Sequence, residues 1–236
     1  MARPSAKLRL FGGTDPAHTA SADAVLVVGL GRFGRSLALE LMAQGAEVLG
    51  IDADEDIVQS LNGQLTHVVR ADATKEEALR QLAAQEFERA VVAIGSDIEA
   101  SILSASLLVH MGVPETWAKS VSDAHGRILS QIGVKHVVYP ENDMGRRVAH
   151  LVRGNMQDYL EIDRDFVMIK TTPHAALIGV SLREASVRTK YGVTINAIKG
   201  ANHVWIPATP DTVLEADNVI LVSGPMQQVE AFGRMR

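Results

Sequence analysis

Short apolar runs alternate with longer stretches that carry one apolar face through the first part of this chain. The short runs are rich in β-branched side chains and contain few polar residues. Such runs are typical of strands buried on both faces of a parallel sheet. We predict strands at residues 25–28, 48–51, 67–69, 90–94, 117–121 and 136–139.

The stretches between these runs predict helices. In the first of them, Leu37, Leu41 and Met42 share one face at helical spacing, and Gly45 stands where a helix often ends. Strands that alternate with helices form a parallel sheet covered on both faces. The predicted fold class is therefore α/β, a Rossmann-like doubly wound parallel sheet.

The last third of the chain has a different pattern. Residues 142–153 predict one further helix, and the segments after it are mostly strand-like, at residues 159–162, 167–171, 193–199, 203–206 and 219–223. With only short helices between them, these strands predict a small α+β subdomain. We divide the chain into a flexible tail (1–22), a sheet domain (23–140), a linking helix (141–156) and a C-terminal subdomain (157–236).

Composition excludes several classes of protein. The formal net charge of −5 disfavours a general nucleic-acid binder, because phosphate backbones attract basic surfaces. Without cysteine the chain cannot form disulfides, iron–sulfur clusters or thiolate zinc sites. No apolar run approaches the roughly 20 residues that span a bilayer, and we see no secretory signal. We therefore expect a cytoplasmic protein.

A glycine loop follows the first predicted strand and opens a helix. In a Gly-x-Gly-x-x-Gly loop, Gly29 permits a tight turn, Gly31 lets the backbone approach a pyrophosphate, and Gly34 lets helix and strand pack closely. The helix N-terminus then offers N–H groups to phosphate. About 20 residues further on, Asp52 ends the second strand, where a carboxylate accepts the ribose hydroxyls. Loop and acid together predict a nucleotide site.

Two other phosphate-binding interpretations fit less well. A P-loop would use Gly29 and Gly34, but it requires a lysine that is missing here and has no need of Gly31. NADP is disfavoured because Ala53 and Asp54 follow Asp52, where an arginine would accept a 2′-phosphate. Arg32, inside the loop, adds attraction for phosphate, and its alternative is a solvated surface arginine.

The sequence Gly-Leu-Gly-Arg-Phe-Gly-Arg at residues 29–35 resembles the glycine loop of the RCK (regulator of K⁺ conductance) family. That family supplies the cytosolic gating subunits of Ktr and Trk potassium-uptake systems. Further motifs continue the resemblance over nearly everything after the tail: Asp-Ala-Asp at 52–54, Ala-Asp-Ala-Thr at 71–74, Ile-Gly at 94–95, Ala-Lys at 118–119, Pro-Glu-Asn-Asp-Met-Gly at 140–145 and Gly-Val-Ser-Leu-Arg-Glu at 179–184.

The resemblance implies a nucleotide-gated ring, a homo-octamer built as a tetramer of dimers, beneath a separate membrane-embedded potassium channel or transporter subunit. ATP or ADP, and NAD(H) in some members, would bind the N-terminal domain. Arg32 would reach the terminal phosphates, Asp52 the ribose and Asp72 the adenine, with Lys119 close to the phosphates. The residues assigned to this site are Gly29, Gly31, Arg32, Phe33, Gly34, Asp52, Asp54, Asp72, Ala73 and Lys119.

Two further ligands are implied only by the resemblance. Glu141 would help to bind a divalent or monovalent cation at the dimer interface; alternatively, it is an acid stabilised by a helix N-terminus. Cyclic di-AMP would bind near Arg188 and Asn196, although Asn196 could equally be an edge-strand polar residue.

Three functional interpretations stay open at this stage, of which the gating subunit of a potassium-uptake system is the first. An NAD-dependent oxidoreductase or redox sensor would use the same fold, but it needs an acid or base at the nicotinamide. His174 and His203 have no carboxylate partner at short spacing, and His125 is predicted near the start of a helix; a lone histidine is more often surface or core than catalytic. We therefore expect no enzymatic activity. The third alternative is a regulatory subunit of another ion transporter.

Overall fold

The computed structural model describes residues 23–153 and 156–235, which separate between Pro140 and Glu141 into two compact units. The predicted flexible tail, residues 1–22, lies outside the described residues. No helix of the described part is both long and apolar enough to cross a membrane.

The first unit is built on a six-stranded parallel sheet with strand order β3-β2-β1-β4-β5-β6. Its strands are β1 (Val25–Val28), β2 (Val48–Asp52), β3 (His67–Arg70), β4 (Arg89–Val92), β5 (Glu115–Lys119) and β6 (His136–Val138). The strand order reverses direction between β1 and β4. The predicted doubly wound parallel sheet is confirmed.

Helices cover both faces of this sheet. They are α1 (Arg32–Ala43), α2 (Glu55–Leu61), α3 (Glu76–Gln81), α4 (Ile98–His110) and α5 (Asp123–Gln131), with a short 3₁₀ helix at Ala84–Glu86. Side chains of β1 alternate between two apolar cores: Val25 and Val27 pack with one cluster, and Leu26 and Val28 pack with the other. Burial on both faces explains why the strand is apolar at every position.

Strands β4 and β5 begin and end earlier than the apolar runs predicted at residues 90–94 and 117–121. β4 begins at Arg89 and ends at Val92, and β5 begins at Glu115 and ends at Lys119. Arg89 and Glu115 pair with each other in the sheet register, although both are charged. Apolar runs could not mark these positions, because the strand ends reach the surface, where charged side chains remain hydrated.

The second unit contains a five-stranded antiparallel sheet with strand order β10-β9-β11-β8-β7. Its strands are β7 (Asp158–Asp163), β8 (Phe166–Thr171), β9 (Thr194–Lys199), β10 (Trp205–Pro207) and β11 (Val219–Pro225). Its helices are α6 (Pro140–Arg153), α7 (Leu182–Ala185), α8 (Val187–Tyr191) and α9 (Met226–Gly233), with a 3₁₀ helix at Ala175–Leu177. The small α+β subdomain is confirmed.

The strand predicted at residues 203–206 starts too early. His203 was expected within a strand at residues 203–206, but it adopts a left-handed backbone with φ of 58° in the turn before β10. Its backbone N–H donates to the carbonyl of Gly200 at 3.0 Å. A turn bond of this kind fixes His203 outside the strand, which begins at Trp205.

Candidate functional site

The three glycines of the loop between β1 and α1 differ in whether the surrounding structure leaves room for a side chain. A Cβ on Gly34 would clash with the carbonyl oxygen of Gly29, so helix and strand approach too closely for any side chain. Gly29 has φ of +89°, and a Cβ there would lie 2.7 Å from Cγ1 of Ile94. Gly31 has an ordinary φ of −62°, and a Cβ there would have no heavy atom within 4 Å. Packing does not require glycine at Gly31, which leaves open space at the loop.

This open space lies at the N-terminus of α1. Gly31 is the N-cap residue and supplies no side-chain cap, and the first turn has no acidic residue. The first N–H groups of a helix have no intrahelical acceptors, and the helix dipole adds partial positive charge there. Arg32, the first residue of α1, is exposed and adds a full positive charge. The arrangement favours an anion such as a phosphate.

Asp52 links the glycine loop to the end of β2. Its Oδ2 accepts a hydrogen bond from the backbone N–H of Leu30 at 2.6 Å, and its Oδ1 accepts one from the N–H of Asp54 at 2.9 Å. The carboxylate is therefore held in one orientation beside the loop. Each carboxylate oxygen has further lone pairs, so Asp52 can also accept ribose hydroxyls.

Two of the other predicted site residues have local structural roles. Asp54 caps α2, with Oδ1 accepting from the N–H of Asp56 at 2.8 Å and of Ile57 at 3.4 Å. Ala73 is buried in the main core of the first unit. Its contribution to a ligand site would be to support the neighbouring backbone.

Asp72 follows β3 and is exposed. Its Oδ1 accepts from the hydroxyl of Thr74 at 2.6 Å and from the backbone N–H of Thr74 at 3.0 Å. The hydroxyl bond, and then the backbone bond, hold the pKa of Asp72 below its usual value. Asp72 therefore presents a negative charge beyond the end of β3 at neutral pH.

Lys119 is the last residue of β5 and brings a positive charge to the carboxyl edge of the parallel sheet. Lys119 is only 8% exposed, and its Nζ lies 5.7 Å from the ring centroid of Phe33 in α1. A Cβ on Gly95, in the loop after β4, would approach Nζ at 3.1 Å. The structure thus joins Lys119, Phe33 and Gly95. Sequence reasoning noted Gly95 as part of a motif but did not assign it to the site.

All of these residues lie at the carboxyl edge of the parallel sheet. The loops after β1 and β4 meet where the strand order reverses, and Ala93 in the second loop donates its N–H to the carbonyl of Val28 at 2.7 Å. In open α/β sheets, ligands bind in the crevice at this switch point.

Three predicted ligand-binding residues belong to the second unit. Glu141 is exposed in the first turn of α6, and Arg188 is exposed on α8. Asn196, on β9, donates from Nδ2 to Oγ of Ser223 at 2.8 Å. The described residues contain no cluster of three or more His, Asp or Glu side chains that could hold a metal ion. Glu141 alone does not supply the several oxygen ligands that a hard cation needs.

Two of the histidines prove to be core residues. His125 is 2% exposed and His174 is 8% exposed, and burial lowers the pKa of both. The Nδ1 of His174 accepts from the N–H of Ala176 at 3.2 Å, capping the 3₁₀ helix. The Nδ1 of His125 accepts from the N–H of Val121 at 3.4 Å, so both histidines have a structural role.

Comparison with known proteins gives the family. The TrkA-N domain matches residues 25–140, and the TrkA-C domain matches residues 166–235. The chain is 36% identical to the Ktr system potassium uptake protein C of Bacillus subtilis, over 87% of this chain and 94% of that protein. The chain belongs to the RCK family, as a KtrA/TrkA-like member. It is also 30% identical to the Ktr system potassium uptake protein A of Vibrio alginolyticus, over 86% and 93%.

Solved structures share the fold of this RCK protein. The GsuK RCK domain superposes with a TM-score of 0.63 at 16% identity, covering 89% of this chain and 47% of that chain. The GsuK channel bound to NAD gives a TM-score of 0.62, also at 16% identity, covering 87% and 38%. The TrkA-N domain of the Escherichia coli inner membrane protein ybaL covers 55% of this chain and 96% of its own, with a TM-score of 0.51 at 20% identity.

Proposed function

We propose that this protein is the nucleotide-sensing regulatory subunit of a potassium uptake system. It binds ATP or ADP at the carboxyl edge of the parallel sheet, and the bound nucleotide controls a separate membrane subunit that carries K⁺. The observation that carries the nucleotide assignment is the position of Asp52, held 2.6 Å from the N–H of Leu30 beside the open Gly31 loop. The similarity to Ktr potassium uptake proteins over nearly their whole length supports the transport assignment over an oxidoreductase.

In the proposed site, each residue has a distinct task. The N–H groups at the start of α1 bind the pyrophosphate, and the Asp52 carboxylate accepts the ribose hydroxyls. Arg32 contacts the distal phosphates, where the charge differs between ATP and ADP, and Lys119 neutralises charge from the opposite side. NADH is the competing ligand, because the same loop and acid are found in NAD sites.

We further propose that several copies of the protein assemble next to the membrane subunit. Exposed apolar side chains stand on α4 and α5, at Ile98, Leu103 and Ile128, and on α6, at Met144 and Val152. Helix faces of this kind support association of several copies into a homo-octameric ring on the cytoplasmic side of the membrane subunit. Cation binding by Glu141 and cyclic di-AMP binding near Arg188 and Asn196 stay predictions; for the first, the remaining ligands would have to come from the nucleotide or a second copy.

The transport assignment is tested in the host cell. We expect deletion of the gene to reduce K⁺ uptake at limiting external K⁺, and the wild-type gene, but not Asp52→Ala, to restore it. Gly45→Ala is the matched control: it strains the end of α1 at φ of +88° but leaves the nucleotide site intact. Unchanged K⁺ uptake after deletion would contradict the transport assignment, whatever the protein binds.

A further inference from the structure

Arg70 lies at the carboxyl edge of the parallel sheet, where we propose that the nucleotide binds. The glycine-loop motif does not predict an arginine at this position. Arg70 is the last residue of β3 and stands opposite Asp52 in the sheet register. Its Nε donates to the carbonyl of Ala53 at 3.1 Å, and one terminal nitrogen lies 3.6 Å from the Glu55 carboxylate. The guanidinium is therefore tethered to the turn between β2 and α2, while 62% of the side chain stays exposed.

The ion pair with Glu55 does not by itself account for an arginine here. An exposed ion pair such as Arg70 with Glu55 contributes little to stability. The bond from Nε to a backbone carbonyl, by contrast, fixes the plane of the guanidinium, which a lysine could not do. Together, the contacts with Ala53 and Glu55 hold the planar, charged guanidinium in one place at the end of β3.

The order of the strands shows which part of a nucleotide would lie there. β1, β2 and β3 are neighbours in that order. The pyrophosphate would lie at the end of β1, over Gly31, and the ribose at the end of β2, on Asp52. The base extends from the ribose away from the phosphates and so reaches the end of β3, where Arg70 is held.

We propose that the Arg70 guanidinium stacks on the base of the bound nucleotide and forms one wall of the base pocket. This inference rests on the proposed nucleotide site and deepens it by naming what binds the base. A guanidinium plane is attracted to the face of an aromatic ring, and purines offer the larger face. Arg70 then contributes affinity that depends on the base and not on the number of phosphates.

The test compares ligands with and without a base. Nucleotide-free wild-type protein, Arg70→Ala and Arg70→Lys are titrated by calorimetry with ATP and with ribose 5-triphosphate. Arg80→Ala is the matched control, because Arg80 is also an exposed arginine paired with a glutamate, Glu76, but lies on α3. We expect Arg70→Ala to weaken ATP by about 3- to 30-fold and to leave ribose 5-triphosphate unchanged.

The lysine variant separates stacking from charge. If stacking is the role, Arg70→Lys loses about as much ATP affinity as Arg70→Ala. Wild-type ATP affinity in Arg70→Lys, or equal losses for both ligands in Arg70→Ala, would overturn the stacking assignment. ATP binding by the wild type that Arg70→Ala leaves intact would overturn this inference alone. Failure of the wild type to bind either ATP or ADP would overturn the proposed nucleotide site as well.

Discussion

The carboxylate of Asp52 accepts a hydrogen bond from the backbone N–H of Leu30 at 2.6 Å, across 22 positions of the sequence. This bond joins the end of β2 to the glycine loop and orients the acid before any ligand binds. A ligand that bridges loop and acid therefore meets a carboxylate that is already in place, which reduces the ordering cost of binding.

We expect Asp52→Ala to weaken ATP binding by about 10- to 100-fold, because a charged acceptor for the ribose hydroxyls is lost. Comparison with 2′-deoxy-ATP isolates that contact. The wild type should bind 2′-deoxy-ATP more weakly than ATP, whereas Asp52→Ala should discriminate less between the two. Equal discrimination in both proteins, measured by calorimetry, would place the ribose elsewhere.

The same substitution is expected to cost stability. Without the carboxylate, the N–H of Leu30 loses its acceptor in a partly buried place, and the N–H of Asp54 loses one near the surface. We expect a loss of about 1–3 kcal/mol in the free energy of unfolding. Binding must therefore be measured at a temperature where denaturation curves show Asp52→Ala to be folded.

Substitutions at Gly31 and Gly34 should separate an effect on ATP binding from an effect on folding stability. Gly31→Ala places a methyl group in open space at an allowed backbone conformation, so its free energy of unfolding should fall by no more than about 1 kcal/mol. The methyl group would nevertheless occupy space that the pyrophosphate needs, and ATP affinity should drop by about tenfold or more.

Gly34→Ala, by contrast, should mainly lower the stability of the fold. Its Cβ would meet the backbone of Gly29, so the unfolding free energy should fall by about 3 kcal/mol or more. Urea denaturation of both variants gives the comparison. If Gly31→Ala binds ATP as well as the wild type, this result would contradict binding of the pyrophosphate at the glycine loop.

Arg32 is predicted to sense the number of phosphates. Arg32→Ala should weaken ATP by about 10- to 100-fold and AMP by less than about twofold, because a charge-assisted bond to a distal phosphate is lost only with ATP. Arg35→Ala is the control on the same helix, since Arg35 donates to Oγ of Ser60 on α2. Equal losses for ATP and AMP would show that Arg32 acts on the whole site without sensing phosphate number.

The second unit should lose stability in mild acid through His174. Its imidazole packs against Tyr191 and Phe232 at centroid distances of 5.6 and 5.8 Å. Burial, and then the charge of Lys190, lower the folded-state pKa below the ordinary 6.5. The unfolded chain therefore takes up a proton more readily, so this contribution is complete above about pH 6.5 and is lost as the pH falls through the lower, folded-state pKa.

We expect His174→Asn to flatten the pH dependence of unfolding between about pH 7.5 and 5.5, because asparagine can still cap the 3₁₀ helix but does not titrate. Some slope should remain, since burial lowers the pKa of His125 as well. His110→Asn, at an exposed position on α4, is the control. Urea midpoints that change equally with pH in His174→Asn and wild type would contradict this assignment.

The sequence was sufficient for the parallel sheet and for the core of the candidate site. Strands buried on both faces must be apolar throughout, and the positions of Gly29, Gly34 and Asp52 follow from backbone geometry that any similar loop shares. These features are local, so they can be read from spacing along the chain.

Other features depend on contacts between distant segments. Arg70 reaches Ala53 only because β3 lies beside β2, and Lys119 meets Phe33 only because the loops converge at the sheet edge. Burial of His125 and His174 likewise depends on tertiary packing. None of these has a sequence spacing that predicts it.

Nucleotide sensing by this protein is tested by a calorimetric titration of nucleotide-free protein with ATP, ADP and NADH, each with and without Mg²⁺. We expect ATP and ADP to bind at one site per chain, with affinities that differ and respond differently to Mg²⁺. Binding of NADH alone, or of none of the three, would contradict an ATP- and ADP-sensing subunit.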